Sequence, residues 1–247
     1  MIRRPQLALL LVAATMLAAC TTAPTTDPKA DAARYDAVVA SPLRTEQDRR
    51  MDASRHPAEL LAFTQVQPGW HALDVAAGGG YTAQLIALAV GPSGVLWAQS
   101  TRPGPALAKR LEEHPQANFR PVIRPFDDPV PPEATSLDLV TLVLNYHDIS
   151  YLPVDRARMN ARIFAALKPG GRFVVVDHAG RSGTGISEGQ TLHRIDEEVV
   201  RREVTQAGFV LDAEGAFLRN PADPRTGSSN NPPVPTDKFA LRFVKPR

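Results

Sequence analysis

The stretch "LDVAAGGGYTAQL", residues 73–85, decides how the rest of the chain is interpreted. A short apolar run contains Asp74 near its end, three consecutive glycines follow, and a second apolar run begins at Tyr81. Glycines allow the backbone to approach a ligand closely, and the N-terminus of the helix that follows presents unpaired N–H groups to it. The pattern therefore predicts a strand, a tight turn and a helix that together bind a small molecule.

Runs with strand character and runs with helix character alternate on both sides of this turn. The predicted strands are "HALDV", "VLWAQS", "NFRPVIRP", "LDLVTLVLNY" and "RFVVVDH". Amphipathic runs such as "VDRARMNARIFAAL" stand between them, and such alternation predicts a doubly wound α/β sheet that binds ligands at the carboxyl ends of its parallel strands. The last two runs, "FVLDAEGAFL" and "FALRFVKP", lack a helix between them and predict an antiparallel hairpin at a sheet edge.

The chain opens with "MIRRPQLALLLVAATMLAAC", which has the features of an export signal. Two arginines precede an apolar run, residues 7–17, that is too short to cross a bilayer. The run ends in "LAAC", which resembles the lipobox of bacterial lipoproteins. The resemblance implies that residues 1–19 are removed and that a lipid on Cys20 anchors the chain to the outer membrane, facing the periplasm, because Thr21 rather than Asp follows. A mistaken start site would instead leave the protein in the cytoplasm.

Composition and charge bear on the protein's binding partners, its disulfides and its domain organisation. The chain has 247 residues and a formal net charge of +2, and loss of the two leader arginines leaves about zero. Long-range attraction to nucleic acid is therefore not expected. Cys20 is the only cysteine, so no intrachain disulfide forms. Residues 20–42, rich in Thr, Ala, Pro and Asp, predict a flexible tether, and residues 43–247 predict one folded domain that starts with a helix in "TEQDRRMDASRHPAELLAFTQV". Nothing in the sequence indicates an oligomeric state.

The ligand of the glycine turn is constrained by the carboxylate of Asp74. Residues 78–83 fit the dinucleotide pattern G-x-G-x-x-G/A. A pyrophosphate is doubly negative, however, and a carboxylate just before the turn would repel it. S-adenosylmethionine has no phosphate and carries a sulfonium and an ammonium group, so Asp74 favours it over a dinucleotide.

Three further motifs resemble class I S-adenosylmethionine-dependent methyltransferases. They are "ALDVAAGGGYTAQLIALAVGPSGVLWA", "LKPGGRFVVVDH" and "VTQAGFVL" with the two terminal strands. The resemblance runs from about residue 44 to residue 245, and it is closest to a group of uncharacterised bacterial methyltransferases that carry "NYHD" and "LHRID". The layout is similar to that of ubiquinone-biosynthesis and arsenite methyltransferases. It implies a Rossmann-like sheet of strand order 3-2-1-4-5-7-6, with strand 7 antiparallel.

The resemblance also implies a set of cofactor-binding residues. Those expected to line the methionine moiety are Asp74, Ala76, Gly78 and Gly80. The second strand of the family usually ends in an acid that binds both ribose hydroxyls; this chain has Gln99 there, whose neutral amide forms weaker hydrogen bonds. Asp127 or Asp128 is expected to accept from the adenine amino group, unless both belong to a solvated loop. Arg55 and His56 are candidates for the cofactor carboxylate.

Polar side chains follow the two most apolar strands, where the carboxyl edge of the sheet is expected. They are Asn145, Tyr146, His147 and Asp148 in "NYHDIS", Asp177 and His178 after the next strand, and His193 and Arg194 near the late helix. Asn145 is assigned to cofactor binding, and Tyr146, His147 and Asp148 to catalysis through proton removal from the acceptor. Two alternatives remain: the polar groups cap strands and tie loops, or the histidines and Asp148 bind a metal. No i, i+4 His pair or Cys partner supports a metal, so none is predicted.

Together these features predict an S-adenosylmethionine-dependent methyltransferase with a small-molecule acceptor. The alternative is a non-catalytic, membrane-tethered lipoprotein that binds a small molecule on the same fold. Asp74 and its glycines favour the enzyme, whereas Gln99 favours the alternative. The leader conflicts with the enzyme, because S-adenosylmethionine is made in the cytoplasm and the leader directs the domain out of it. Three resolutions are open: the enzyme works before or without export, a donor supply exists in the periplasm, or the fold binds another small molecule.

Overall fold

The computed structural model describes residues 28–247, so the predicted leader and Cys20 lie outside the described residues. The helices are α1 (Pro28–Val39), α2 (Glu46–Arg55), α3 (Pro57–Thr64), α4 (Tyr81–Val90), α5 (Pro105–Glu113), α6 (Tyr146–Ser150), α7 (Arg156–Ala166), α8 (Gly189–Leu192) and α9 (Glu197–Gln206). The strands are β1 (His71–Val75), β2 (Val95–Ser100), β3 (Phe119–Ile123), β4 (Leu137–Val143), β5 (Leu167–His178), β6 (Val210–Gly215) and β7 (Lys238–Val244). Within the described part of the chain, no helix has the length and apolar character needed to cross a membrane.

The seven strands form one sheet in the order β3-β2-β1-β4-β5-β7-β6. Strands β1 to β5 pair in parallel, whereas β7 pairs antiparallel with both β5 and β6. The predicted strand order is therefore confirmed. The terminal hairpin lies at the sheet edge with β7 inserted between β5 and β6. The carboxyl ends of β1, β4 and β5 consequently meet at one edge.

The apolar core has two layers, one on each face of the sheet. Leu73 and Val140 point into the layer under α7 and α9, while their neighbours Ala72 and Leu139 point into the layer under α3 and α4. This alternation follows from the two-residue period of a strand. Both faces of the central strands are covered, which explains why these runs read as continuously apolar in the sequence.

The predicted tether is shorter than expected, because part of it is α1. Tyr35 and Val38 are buried, and the Tyr35 hydroxyl donates to the Val66 carbonyl over 3.0 Å. Arg34 donates to the same carbonyl over 2.9 Å. The prediction of flexibility is therefore wrong for residues 28–39. The apolar stripe of α1 is narrow and its other residues are polar or small, so its helical period is weak in the sequence.

Replacement of Tyr35 tests whether α1 belongs to the domain. Tyr35→Ala is expected to lower the free energy of unfolding by about 3 kcal/mol, because it removes a buried aromatic ring and a hydrogen bond. Urea denaturation measures this loss. Asp36→Ala, on the exposed side of the same helix, is the control and is expected to change stability by less than about 0.5 kcal/mol. Equal stability of the two variants would mean that residues 28–39 do not pack on the domain.

The helical segment predicted ahead of the first strand divides into α2 and α3. His56 adopts a left-handed conformation (φ 47°) directly before Pro57, the first residue of α3. A residue before proline is disfavoured in a helix, so the chain turns there. Thr45 and Asp48 form a reciprocal capping box that fixes the start of α2. This helix then lies beside the carboxyl edge of the sheet.

Candidate functional site

A cavity of about 490 Å³ opens at the carboxyl edge of β1 and β4. Its walls are α2, the glycine turn after β1, the exposed side of α5 and the loop after β4. Asp74, Ala76, Gly78 and Asn145 line it, as predicted from the sequence. Gly80 was also predicted to line the cavity, but its neighbour Gly79 does so instead. The position agrees with the general rule that ligands of parallel sheets bind outside the carboxyl ends of the strands.

The glycine turn is held in a strained and closely packed conformation. Ala76 has φ 58°, a left-handed value that costs a non-glycine residue about 1 kcal/mol or more. Gly80 has φ 85°, and a Cβ there would lie 2.9 Å from the Leu107 Cδ1 atom of α5. Glycine is therefore required at position 80 because α5 packs closely against the turn, and not because a ligand contacts this residue.

Asp74 is a buried carboxyl group in the cavity wall and, among the residues that the structure describes, it has no basic hydrogen-bond partner. Its side chain is 2% exposed, and its Oδ1 atom accepts a hydrogen bond from the Thr141 hydroxyl over 2.6 Å. Burial raises the pKa of Asp74 to about 7, although the hydrogen bond and nearby Arg55 act in the opposite direction. The carboxyl group thus stands near its titration point at neutral pH, and a cation in the cavity would favour its ionised form.

Arg55 supplies a positive charge to the same cavity. Its guanidinium lies 4.8 Å from the centre of the Tyr81 ring. Among residues 28–247 it has no hydrogen-bond or ion-pair partner, and burial lowers its pKa. A half-buried guanidinium without a carboxylate partner is costly. Of the three carboxyl groups that line the cavity, Asp48 pairs with Arg110 and Glu113 with Lys109, so Asp74 and Arg55 are the charged groups left to meet an occupant. Of the two sequence candidates, Arg55 reaches this cavity, whereas His56 lines a different surface depression.

A buried ion pair ties the walls of the cavity together. Both guanidinium NH groups of Arg110 in α5 contact the carboxylate of Asp48 in α2 over 2.7 Å, and the Nε–H group donates to the Gly79 carbonyl over 2.7 Å. Burial raises the pKa of Asp48, but the bonds to Arg110 and Thr45 lower it by more, so it stays below its ordinary value. Sequence reasoning missed this pair, since its members are 62 positions apart and neither belongs to a motif.

Gln99 was predicted to bind the ribose hydroxyls, but it does not line the cavity. Its side chain is fully buried, its Oε1 atom accepts from the Ala76 amide over 2.9 Å, and its Nε2 atom donates to the Arg124 carbonyl over 2.6 Å. It therefore stabilises the glycine turn and the end of β3. With both polar atoms in use, Gln99 is not available to ribose hydroxyls in this conformation.

The acidic pair after β3 also lies outside the cavity lining. Asp127 is 3.5 Å from Arg158, and Asp128 pairs with Arg124 and Arg162. The arginines of α7 attract these carboxylates to the protein surface. In the structure these carboxylates thus belong to a charged loop paired with arginines, as in the alternative of a solvated loop.

Tyr146, predicted as a catalytic residue, does not line the cavity. Its ring is fully buried, and its hydroxyl donates to Glu203 over 2.8 Å and accepts from Asn160 over 2.9 Å. Burial, together with the charge of Glu203, raises its pKa far above its ordinary range. Helix α6 begins at Tyr146, and consecutive helical side chains point about 100° apart. Tyr146 consequently packs under α9 while its neighbour faces the sheet edge.

His147 lies between two carboxylates. Its Nδ1 atom is 2.6 Å from Asp177 Oδ1, and its Nε2 atom is 3.2 Å from Asp148 Oδ1. Burial lowers the pKa of His147, but the two carboxylates outweigh it and raise the pKa to about 10. The pKa of Asp148 falls to about 2, because bonds from His147 and His193 outweigh the effect of its burial. His147 is therefore protonated at neutral pH, which disfavours the predicted role as a general base there.

Two more histidines complete this cluster. The His193 Nδ1 atom is 3.1 Å from Asp148 Oδ1, whereas His178 contacts the Thr236 hydroxyl over 2.8 Å. Burial lowers the pKa of His178 to about 3, so it is neutral. One ligand atom from each of His147, Asp148 and His193 lies within 4.8 Å of the others. The structure thus assembles a potential metal-binding group that the sequence spacing had argued against.

Solved structures were found that share this architecture. A methyltransferase from Aquifex aeolicus, dependent on S-adenosylmethionine, matches with a TM-score of 0.59 and 14% identity over 90% of this chain and 100% of that chain. The chain has the fold of class I S-adenosylmethionine-dependent methyltransferases. An S-adenosylmethionine-dependent methyltransferase from Mesorhizobium loti matches with a TM-score of 0.58 and 16% identity over 78% and 99% of the two chains.

A third structure of this fold contains ligands. The 1,6-didemethyltoxoflavin-N1-methyltransferase of Burkholderia thailandensis, with its substrate and S-adenosylhomocysteine bound, matches with a TM-score of 0.57 and 18% identity over 94% of this chain and 99% of that chain. No protein-family model matches the sequence, and no curated protein matches it significantly. The similarity is therefore one of fold, and the chemistry must be argued from the cavity itself.

Proposed function

We propose that this protein is an S-adenosylmethionine-dependent methyltransferase that acts on a small-molecule acceptor. The observation that carries the proposal is the placement of Asp74 and Arg55 in one cavity beside a glycine turn. The methionine moiety of the donor has an ammonium group and a carboxylate, and the cavity offers one partner of opposite charge to each. A dinucleotide would bring its pyrophosphate to the buried carboxyl group of Asp74 and would be disfavoured.

Methyl transfer requires little covalent help from the protein. The sulfonium of the donor is already activated, so alignment of acceptor, methyl carbon and sulfur in a shielded site supplies most of the effect. Asn145, at the end of β4, lines the cavity and donates to the Val143 carbonyl over 3.1 Å, which fixes its side chain at the sheet edge. Asn145 is therefore assigned to positioning the donor or the acceptor, with no proton transfer required of it.

Calorimetry on the full chain tests the proposed function. Titration with S-adenosylmethionine and with S-adenosylhomocysteine is expected to give micromolar dissociation constants, and NAD is expected to bind at least about 100-fold more weakly. Transfer of a labelled methyl group to a panel of small hydroxyl, amine and thiol acceptors then tests turnover. Tighter binding of NAD, or no donor binding at millimolar concentration, would refute the assignment.

A second candidate is a non-catalytic lipoprotein that binds a small molecule on this fold. The observation that favours it is Gln99, because its amide is occupied by backbone groups and leaves the ribose hydroxyls without the usual acid. Under this candidate the cavity binds another zwitterion, such as an amino acid. Calorimetric titration with the common amino acids separates the two: an amino acid that binds more tightly than S-adenosylmethionine supports the second candidate.

Donor affinity is expected to depend on pH through Asp74. The carboxyl group, with a pKa of about 7 in the free protein, must release a proton before it pairs with a cation. Affinity should therefore fall about tenfold for each pH unit below 7 and level off above it. Calorimetry at several pH values between 5.5 and 8 measures this slope, and Asp74→Asn is expected to remove it. A slope that persists in the variant would assign the proton to another group.

We also propose that Cys20 is lipidated and holds the domain at the periplasmic face of the outer membrane. The proposal rests on the lipobox-like "LAAC" and on the residue that follows it. Cys20→Ser is expected to move the protein from the membrane fraction to the soluble fraction, because it removes the acylated thiol. Fractionation followed by mass spectrometry measures this. A wild-type chain that is soluble and carries no lipid would favour a mistaken start site and a cytoplasmic enzyme.

A further inference from the structure

We propose that His147, Asp148 and His193 bind one divalent first-row transition-metal ion, with Zn²⁺ as the type case. The inference rests on the contacts of this cluster and is independent of the methyl donor proposed above. Imidazole nitrogens and a carboxylate oxygen are ligands that Zn²⁺ and its neighbours in the first row accept in proteins. The ion would displace the proton on His147 Nε2 to solvent, since a ligating nitrogen carries none. A set of three protein ligands leaves a coordination position open for water or a small molecule.

The spacing of the three groups matches such a site. Two ligands bound at about 2.1 Å in a tetrahedral arrangement are about 3.4 Å apart. Asp148 Oδ1 is 3.2 Å from His147 Nε2 and 3.1 Å from His193 Nδ1. The three ligand atoms all lie within 4.8 Å of one another, so only small side-chain rotations are needed to surround an ion.

A second contact shell orients His147 for this role. The Nδ1 atom of its ring is 2.6 Å from the fully buried carboxylate of Asp177, which also accepts a hydrogen bond from the His147 amide over 2.8 Å. The Asp177 contact fixes the ring and directs Nε2 toward Asp148. A carboxylate behind a ligating histidine is the usual means by which proteins orient such a ligand and increase its basicity.

The third ligand, His193, lies in a segment that buried contacts hold against the end of β5. His193 has φ 51°, and the adjacent Arg194 is almost fully buried, where it donates to the Ala179 carbonyl and pairs with Asp223. Ile195 forms a parallel bridge with Ala179 at the end of β5. Residues 193–196 separate α8 from α9, and this break between the helices places His193 beside His147.

The cluster is open to solvent on one side. The side chains of Asp148 and His193 are 36% and 29% exposed, whereas that of His147 is 5% exposed. An ion can therefore enter from solvent, and its open position faces outward. His178 lies nearby, with its ring centre 5.8 Å from that of His147, but it is not part of the group of three whose ligand atoms lie within 4.8 Å of one another.

Metal binding is tested on the untagged full chain with Cys20→Ser in every variant, which removes the only thiol. Competition of Zn²⁺ against a chromogenic chelator is expected to show one tight site, and Co²⁺ is expected to give the absorption bands of a four-coordinate ion. His193→Asn should weaken Zn²⁺ binding at least about 100-fold, and Asp177→Asn about 10- to 100-fold.

His56→Asn is the matched control. His56 and His193 both have left-handed backbones, with φ 47° and 51°, and asparagine tolerates that conformation. The two variants therefore lose one imidazole each with similar effects on the backbone, but only His193→Asn should lose Zn²⁺. Less than one-tenth of an equivalent of Zn²⁺ bound to the parent, or equal affinity in both variants, would overturn the proposal. Calorimetry with S-adenosylmethionine on the same proteins reports donor binding separately.

Discussion

Asp74→Asn is expected to weaken binding of S-adenosylmethionine by about 100-fold, which corresponds to about 2.7 kcal/mol. The variant keeps the shape of the side chain and an acceptor for the Thr141 hydroxyl, but it cannot carry the negative charge that a bound ammonium or sulfonium would face. Hydrogen bonds and ion pairs between charged groups are strongest where water is excluded, and Asp74 is 2% exposed. Calorimetry of the donor complex above pH 7 measures the loss.

The stability of the same variant separates a binding role from a folding role. Burial raises the pKa of Asp74 to about 7, so above that pH the folded protein holds an ionised carboxylate in a poorly solvated place. Asp74→Asn removes this penalty, and its melting temperature at pH 8 is expected to equal or exceed that of the parent. A structural requirement for the carboxylate would give the opposite sign.

Asp138→Asn provides the matched control for Asp74→Asn. Asp138 is likewise a buried carboxylate of the central strands, but it lies at the start of β4, where it accepts from the His71 amide over 2.8 Å. It faces the amino edge of the sheet, away from the cavity. Donor affinity is therefore expected to stay within about twofold of the parent. Comparable losses in both variants would show that any buried charge affects binding through stability.

Arg110→Met is expected to lower the free energy of unfolding by about 3 to 5 kcal/mol, because it leaves the Asp48 carboxylate buried without its partner. The side chain of Asp48 is 2% exposed, and Arg110 supplies its two 2.7 Å contacts. The variant also loses the bond to the Gly79 carbonyl, so the glycine turn becomes less ordered and donor affinity should fall as well. Urea denaturation and calorimetry measure the two effects.

A double variant tests whether the loss of stability in Arg110→Met comes from the unpaired charge left on Asp48. Arg110→Met with Asp48→Leu removes both charges and is expected to recover most of the lost stability, since an apolar pair of similar volume can replace a buried ion pair. About 1 kcal/mol stays lost, because leucine at position 48 cannot accept from the Thr45 amide in the capping box of α2. Arg124→Met is the surface control: its partner Asp128 is an i, i+4 neighbour, and the expected loss is below about 1 kcal/mol. A double variant no more stable than Arg110→Met would refute the account.

The ion pair between Asp48 and Arg110 also predicts how the free energy of unfolding decreases at acidic pH. The pKa of Asp48 is lower in the folded protein than in the unfolded chain, so its contribution is present above about pH 4 and is lost as pH falls through the folded value. In the double variant this contribution is absent at every pH. The slope of stability against pH below 4 should therefore be shallower in the double variant than in the parent.

Much of the fold was predictable because its signals are local or belong to family motifs. The apolar runs of β4 and β5 identify strands covered on both faces, and the missing helix before β7 identifies the hairpin. The order of the strands followed from the resemblance of three motifs to a known family. Helix α1 was missed because its two buried side chains, Tyr35 and Val38, are too few to give a clear period.

The site was predictable only in part. Four predicted residues lie at or just after the carboxyl ends of strands and reach the cavity, because the ends of parallel strands converge there: Asp74, Ala76, Gly78 and Asn145. Gln99 was misjudged, since strand position alone does not reveal that backbone groups occupy both atoms of its amide. Tyr146 does not reach the cavity, because the helix that begins at this residue turns its ring inward.

The sequence by itself determined the sheet, the turn and the acidic group beside it, because each depends on neighbours within a few residues or on the edge that parallel strands share. Only the tertiary structure decided the charges that complete the sites. Asp48 meets Arg110 across 62 positions, and His193 meets Asp148 across 45. Such contacts are set by how helices and loops pack over the sheet, and side-chain spacing along the chain carries no record of them.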